Sequence, residues 1–436
     1  MHISRLCVWL SSVVVAATVT SPTTGTCADK PDRGIADFPK LSADRDWPWW
    51  RGPSRNGVAA GSRTAPIKWS NTENIDWKTP VPGRGHSSPI VVGDQVFLAT
   101  SFKQEQIHSV LSFDRKTGKP LWKTDVSQGG FPGKNHRKNT EATPTIASDG
   151  ELLYVTFFHH ETIQATALDL TGKQVWQKPV GPFNPKMFEY GYAPSPTLYR
   201  DTVIIAAEYD GESALTALDR VTGKQVWRTP RQRSISFSTP VVAHVAGRDQ
   251  LLISGANQVT SYHPGTGEQL WTTPGTTAAT CGTMVWDGDI VVASGGFPKA
   301  ETLAVRADGS GKVLWRNQHK CYEQSVLTHA GHVYGLNDDG IMFCCRISDG
   351  KEMWRERLQG PVSSSPVFAG GHIYQANEGG TWYVFKPSPQ RFDLVAQNQL
   401  GDEAFPSPAI VGGQIFIRTA TGSGGNRQEF LYCVGK

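Results

Sequence analysis

The chain has 436 residues, with 43 lysines and arginines against 39 aspartates and glutamates, a net charge of +4 and a mean hydropathy of −0.35. That balance excludes the strongly basic field that nucleic-acid partners select. Seven cysteines, two of them (Cys7 and Cys27) near the N-terminus, exclude a disulfide framework for a chain of this size.

The first element is an export signal. Arg5 supplies a positive start, Leu6 to Val19 is mostly apolar, and Thr26-Cys27-Ala28 offers small residues for cleavage after Ala28, with an earlier cut after Ala17 left open. The apolar run is short for a permanent membrane span, and no other segment reaches that hydropathy. Cys27 raises a lipid anchor, although Thr24-Gly25-Thr26 lacks the leucine-like residue such a site carries. Residues 1–28 therefore read as a signal peptide and the protein as exported, periplasmic or at the cell surface. Residues 29–73 read as a strap or linker, with Trp47, Trp49 and Trp50 packing over the domain that follows.

From residue 74 onward the chain repeats itself. A phrase close to T-G-K-x-x-W ends at Trp122, Trp176, Trp227, Trp271, Trp315 and Trp354, with gaps of 54, 51, 44, 44 and 39 residues. That period marks a repeat architecture. Each unit opens on a small-residue and proline cluster, as in His86-Ser87-Ser88-Pro89, followed by four β-rich runs separated by glycine-containing turns. The opening recurs at Pro144, Pro196, Pro240, Met284, Val326, Pro366 and Pro408, which makes eight units. The eighth stops after Phe430-Leu431-Tyr432-Cys433 without a fourth strand, and Asn74 to Pro80 supplies one, with Trp77 in the tryptophan position. The sequence thus predicts an all-β, eight-bladed β-propeller of four-stranded antiparallel blades over residues 74–436, closed by an N-terminal strand that completes the last blade.

The stretch Leu218-Asp219-Arg220-Val221-Thr222-Gly223-Lys224-Gln225-Val226-Trp227 resembles the repeat of PQQ-like, quinoprotein-type β-propellers, and the likeness covers about residues 74–436. That repeat builds pyrroloquinoline quinone dehydrogenases and also the outer-membrane assembly lipoprotein called assembly factor B, so it implies a fold more sharply than a function. Asp46 to Pro53, His136 to Thr140 and Gly191 to Pro196 are similar to secreted PQQ-like propellers of unassigned function.

The tryptophans, Trp77 included, read as structural: one indole per blade packing between neighbours. The adjacent Cys344 and Cys345 resemble the cofactor-facing disulfide of some PQQ dehydrogenases. On a strand, however, neighbouring residues face opposite sides, which favours two packed thiols. Three loops, residues 127–140, 182–190 and 228–233, follow a unit's last strand and should share one face. They carry His136, Lys138, Tyr190, Arg231 and Arg233 as a basic, partly aromatic rim. Three residues before each aligned opening lie His86, Glu141, Ala193, Phe237, Cys281, Glu323, Ser363 and Phe405, which should ring the channel mouth. His86, Glu141 and Glu323, helped by His136 and Lys138, are expected to line a small polar pocket or cation site. No nucleophile elbow, phosphate loop or zinc-protease motif is present, and no catalytic or metal-ligating residue is assigned.

These readings converge on a monomeric, non-catalytic scaffold that binds protein or polysaccharide at the cell envelope, with no nucleic-acid partner and no cofactor. The alternative is a quinoprotein-type oxidoreductase that uses PQQ and calcium on an alcohol or sugar.

Overall fold

Eight separate four-stranded antiparallel sheets make up the molecule, as seen in a computed structural model that describes residues 31–61 and 63–435. The expected signal peptide lies outside the described residues. Blade 1 runs through Ile90–Val92, Gln95–Phe102, Ile107–Asp114 and Pro120–Gln128. Blades 2 to 7 repeat this order, their innermost strands starting at Ala147, Thr197, Val241, Val285, Leu327 and Val367. Blade 8 takes Ala409–Val411, Gln414–Thr421 and Gln428–Val434 from the C-terminal end and Ile75–Val81 from the other. In that closing pair Trp77 stands opposite Cys433 and Thr79 opposite Leu431. No sheet therefore keeps a long open edge between the two ends of the repeat array.

The repeated phrase works at the seams between blades. The indole Nε1 of Trp77, Trp122, Trp176, Trp227, Trp315 and Trp354 each donates to a backbone carbonyl in the turn of the following blade, at 2.7–3.1 Å. Trp271 instead donates to Gln250 Oε1 (2.7 Å), and Gln250 Nε2 passes the link on to Ala307 O of blade 5 (2.7 Å). The phrase's glycine serves the same seam. Gly118, at φ +71°, lies so close to the Trp77 ring that an added Cβ would stand 2.4 Å from it. Only glycine permits both that conformation and that approach. The aspartate ahead of it, Asp114, accepts from Thr117 N (2.7 Å) and Thr117 Oγ1 (2.6 Å), which fixes the turn and holds the carboxyl below its usual range. The Cys344 and Cys345 side chains pack on opposite faces of Ile341–Arg346, one toward blade 7 and one toward blade 5, as free thiols that burial pushes up to about 12.

The segment ahead of the first strand crosses one end of the central channel. Trp47 exchanges backbone hydrogen bonds with Val91 (2.8 and 2.9 Å), Ser148 N donates to Pro48 O (2.8 Å), Arg55 Nη2 reaches Leu198 O (2.9 Å), and Val58 bridges Phe368. Asn56 Nδ2 donates to Trp286 O (2.8 Å), while Arg51 donates to Val326 O (3.0 Å) and Pro366 O (2.7 Å). One short segment so ties together the inner strands of blades 1, 2, 3, 5, 6 and 7. Arg51 is buried with no carboxylate partner among the described residues, and that desolvation brings its guanidinium down to about 9.

Candidate functional site

A belt of hydroxyls lines the channel. Two residues before the first residue of each inner strand stands a serine or threonine, and in seven of the eight blades its amide donates to the equivalent hydroxyl of the next blade. The links run from Ser88 to Thr145 (3.1 Å), to Ser195 (2.9 Å) and to Thr239 (2.9 Å), and from Thr283 to Ser325 (3.0 Å), to Ser365 (2.9 Å), to Ser407 (2.8 Å) and back to Ser88 (3.0 Å). Between blades 4 and 5, Ser238 Oγ donates to Gly282 O (3.0 Å) instead. The belt satisfies backbone amides that have no sheet partner so near the axis.

Above the belt the channel opens into a cup of about 240 Å³. Its floor is Trp50 of the crossing segment, whose Nε1 donates to Thr283 Oγ1 at 2.8 Å. The crossing segment thus makes a through-channel into a blind cavity. Its wall carries His86, Ala193, Phe237, Cys281, Glu323, Ser363 and Phe405, all from the register expected to ring the mouth.

The eighth member of that set is a correction. Glu141 does not line the cup; its side chain is 7% exposed and faces Lys103 Nζ at 3.7 Å. The inner strand of blade 2 begins at Ala147, so the residue aligned with Pro89 is Ile146, not Pro144, and the cup position is Thr143. Pro144 misled the alignment because the proline cluster starts two residues early in this blade. Arg231 is a second correction. Its side chain, 3% exposed, is ion-paired to Glu208 of blade 3 and donates to Tyr262 Oη of blade 4 (2.7 Å), so it ties those two blades together and adds nothing to a basic rim. Arg233 is exposed and away from the cup wall.

The two longer loops meet over the mouth. Lys134 Nζ pairs with Glu189 (2.7 Å), and the His136 and Tyr190 rings lie 4.8 Å apart. Lys138 extends from the loop before blade 2 across to Glu378 of blade 7 (2.7 Å) and Glu323 ahead of blade 6 (3.6 Å). Ser363 Oγ is within hydrogen-bond reach of both Glu378 Oε1 (2.7 Å) and Glu323 Oε2. The expected basic rim is therefore a paired one. Burial pushes the Glu323 carboxyl up, against the pull of Ser363 and Lys138. His86 stacks on Phe405 (4.4 Å, 4° between planes), and its buried Nε2 has no hydrogen-bond partner among the described residues. Burial, with Arg84 and Arg418 nearby, holds its imidazole neutral, far below the usual histidine value.

Sequence reasoning missed Trp50, Phe297, Tyr322 and Glu378. A signal for the last existed: Asn337-Asp338-Asp339-Gly340 and Asn377-Glu378-Gly379-Gly380 are the same hairpin, and each puts a carboxylate beside the cup's acidic side.

His108 lies behind the loop at 127–140, packed between Phe131 and Phe157 (both 4.3 Å), with its Nδ1 2.8 Å from Ser127 Oγ. Burial pushes it down from 6.5 to about 3. The folded state binds this proton less readily than the unfolded chain, so stability is complete above pH 6.5 and falls as the pH drops below it, by up to about 1.4 kcal/mol per pH unit. Glu323, displaced upward, has the opposite sign. Urea midpoints measured at several pH values should therefore fall less steeply below about pH 6 in His108→Gln than in the unaltered chain.

A quinone with calcium needs oxygen donors left free for the ion. Here the two carboxylates on the cup's acidic side already face the Lys138 ammonium, which occupies the place a cation would take. Among the described residues no group of three or more His, Cys, Asp or Glu side chains is placed to hold a metal, and the paired cysteines are packed inside blade 6. The donor set does not fit that cofactor pair.

A family model described as outer membrane protein assembly factor BamB matches residues 54–180, 106–306 and 299–388. The chain is 25% identical over 357 residues to the outer membrane protein assembly factor BamB of Burkholderia pseudomallei (strain K96243), covering 70% of this chain and 85% of that one. It is 26% identical over 190 residues to the quinoprotein ethanol dehydrogenase of Pseudomonas aeruginosa, covering 38% of this chain and 28% of that one. Among solved structures, a europium-containing methanol dehydrogenase superposes with a TM-score of 0.65 at 12% identity, over 89% of this chain and 92% of its own, a likeness of fold alone.

Proposed function

The chain belongs to the family described as outer membrane protein assembly factor BamB, and from that membership we propose that it is an exported, non-catalytic propeller that serves as a monomeric binding scaffold at the cell envelope. Its partner on this reading is a protein or a polysaccharide. The observation that carries the reading is the blind, pre-formed cup. It is floored by Trp50, and its charged groups Lys138, Glu323 and Glu378 are engaged with one another, so it is built to hold something still. Among the described residues no helix is long and apolar enough to cross a membrane.

The second reading, a PQQ- and calcium-dependent oxidoreductase acting on an alcohol or sugar, is favoured by the 26% identity over 190 residues to a quinoprotein ethanol dehydrogenase. One pair of measurements separates the two. Crosslinking in intact cells followed by pull-down of the full chain should recover envelope components. Incubation with PQQ and calcium should give neither a new absorption band nor reduction of an artificial dye with ethanol or glucose. Dye reduction that depends on both additions would overturn the scaffold reading.

A further inference from the structure

We propose that the cup binds a single pyranose ring, neutral or amino-substituted, as the terminal unit of a glycan whose remaining units project through the mouth. This deepens the scaffold reading and rests on it.

Size sets the first limit. A cavity of about 240 Å³ corresponds to roughly eight waters at ~30 Å³ each, enough for one sugar ring. The wall chemistry sets the second. Phe405 precedes blade 8 and Phe237 precedes blade 4, so in a ring of eight the two stand on opposite sides of the axis. Each is backed by a second ring in near-parallel stacking, Phe405 by His86 (4.4 Å, 4°) and Phe237 by Tyr190 (6.1 Å, 22°). Two buttressed aromatic surfaces suit the C–H faces of a pyranose. The same wall carries the hydroxyl belt, Ser363, Glu323 and Lys138, which offer donors and acceptors to sugar hydroxyls.

The hydroxyl belt is the independent sign of a polar ligand. Thr145, Ser195, Thr239 and Ser407 line the cup, and each hydroxyl accepts from a backbone amide, which leaves its own hydrogen to donate to a sugar oxygen. A protein side chain fits less well: a lysine or arginine would meet Lys138, an acidic residue would meet Glu323 and Glu378, and an aromatic one would leave the hydroxyls unpaired. Two glutamates against one lysine also weigh against a uronic acid.

Calorimetric titration of the full chain with D-glucose, D-glucosamine, N-acetyl-D-glucosamine and D-glucuronate tests the assignment. At least one of the first three should bind saturably and quench the emission of Trp50, with glucuronate about tenfold or more weaker. Phe237→Ala and Phe405→Ala should each weaken binding about tenfold or more, and Glu323→Gln should narrow the gap between the neutral sugars and glucuronate. Trp50→Phe should abolish the fluorescence signal, which assigns that signal to the floor of the cup. Melting curves confirm that each variant is folded; Ser363→Ala, on the polar wall, replaces any phenylalanine variant that is not. Absence of saturable binding to all four sugars overturns the proposal, as does binding that the wall variants leave unchanged. If the crosslinked envelope component is still recovered in either case, only the sugar assignment falls; if recovery fails as well, the scaffold reading falls with it.

Discussion

Replacing Arg418 by alanine should lower the unfolding free energy by about 3–5 kcal/mol, read as a shift in urea midpoint. Arg418 is 1% exposed and Glu429, its partner on the adjacent strand of blade 8, is 2% exposed. Arg418 Nε donates to Glu429 Oε2 at 2.7 Å, and Nη1 crosses the seam to Ala99 O of blade 1 at 2.6 Å. Removing the guanidinium leaves a buried carboxylate with Arg427 (2.8 Å) as its remaining cation and strips a buried carbonyl of its donor. Substituting both partners, as in Arg418→Met with Glu429→Leu, should cost far less, because it also removes the charge that would otherwise be stranded. A double variant as unstable as the single one would show that shape, not ionic pairing, dominates here. Gly85 belongs to the same unit: a Cβ there would stand 2.9 Å from the guanidinium, so Gly85→Ala should weaken the same seam.

The architecture was legible because its signals are local and repeated. A turn needs aspartate, threonine and glycine for its own backbone, and the indole that follows needs a carbonyl one blade away, so the phrase appears wherever that seam does. The missing strand of the last unit could be assigned to residues 74–80, one residue from the observed Ile75–Val81, for the same reason, since Trp77 carries the seam chemistry without the turn. The cup was legible only in part. Aligning the repeats located most of its wall, but where one blade shifts its proline by two residues the same logic selected Glu141 over Thr143. Burial also reversed the meaning of individual charges: Arg231 looked like a rim cation and is half of a buried pair with Glu208. Trp50 was out of reach because the crossing segment follows no period. Its depth is set by tertiary contacts such as Arg51 with Val326 and Pro366.

Trp77→Ala is expected to be as damaging, about 3–5 kcal/mol, and its effect should be localised. The Trp77 ring packs on Phe416 (6.1 Å between centroids) and against Gly118, and its Nε1 holds Arg115 O at 2.9 Å. Thr79, on the same strand, donates to Gly118 O at 2.7 Å. The contacts with Gly118 and Arg115 join blade 8 to blade 1, and the strand that makes them reaches blade 8 from the opposite end of the chain, so only pairing and packing hold it there. Loss of the indole should let residues 75–81 open without unfolding the other blades, which hydrogen exchange would report as lost protection there and on the partner strand Gln428–Val434. Trp271→Ala supplies the contrast. Its indole bonds Gln250 within a blade whose strands are continuous in sequence, so a comparable loss of stability should appear without selective exposure of the closing strand. Uniform exchange in both variants would mean that the ring opens as one cooperative unit and that the closing strand is no weaker than any other seam.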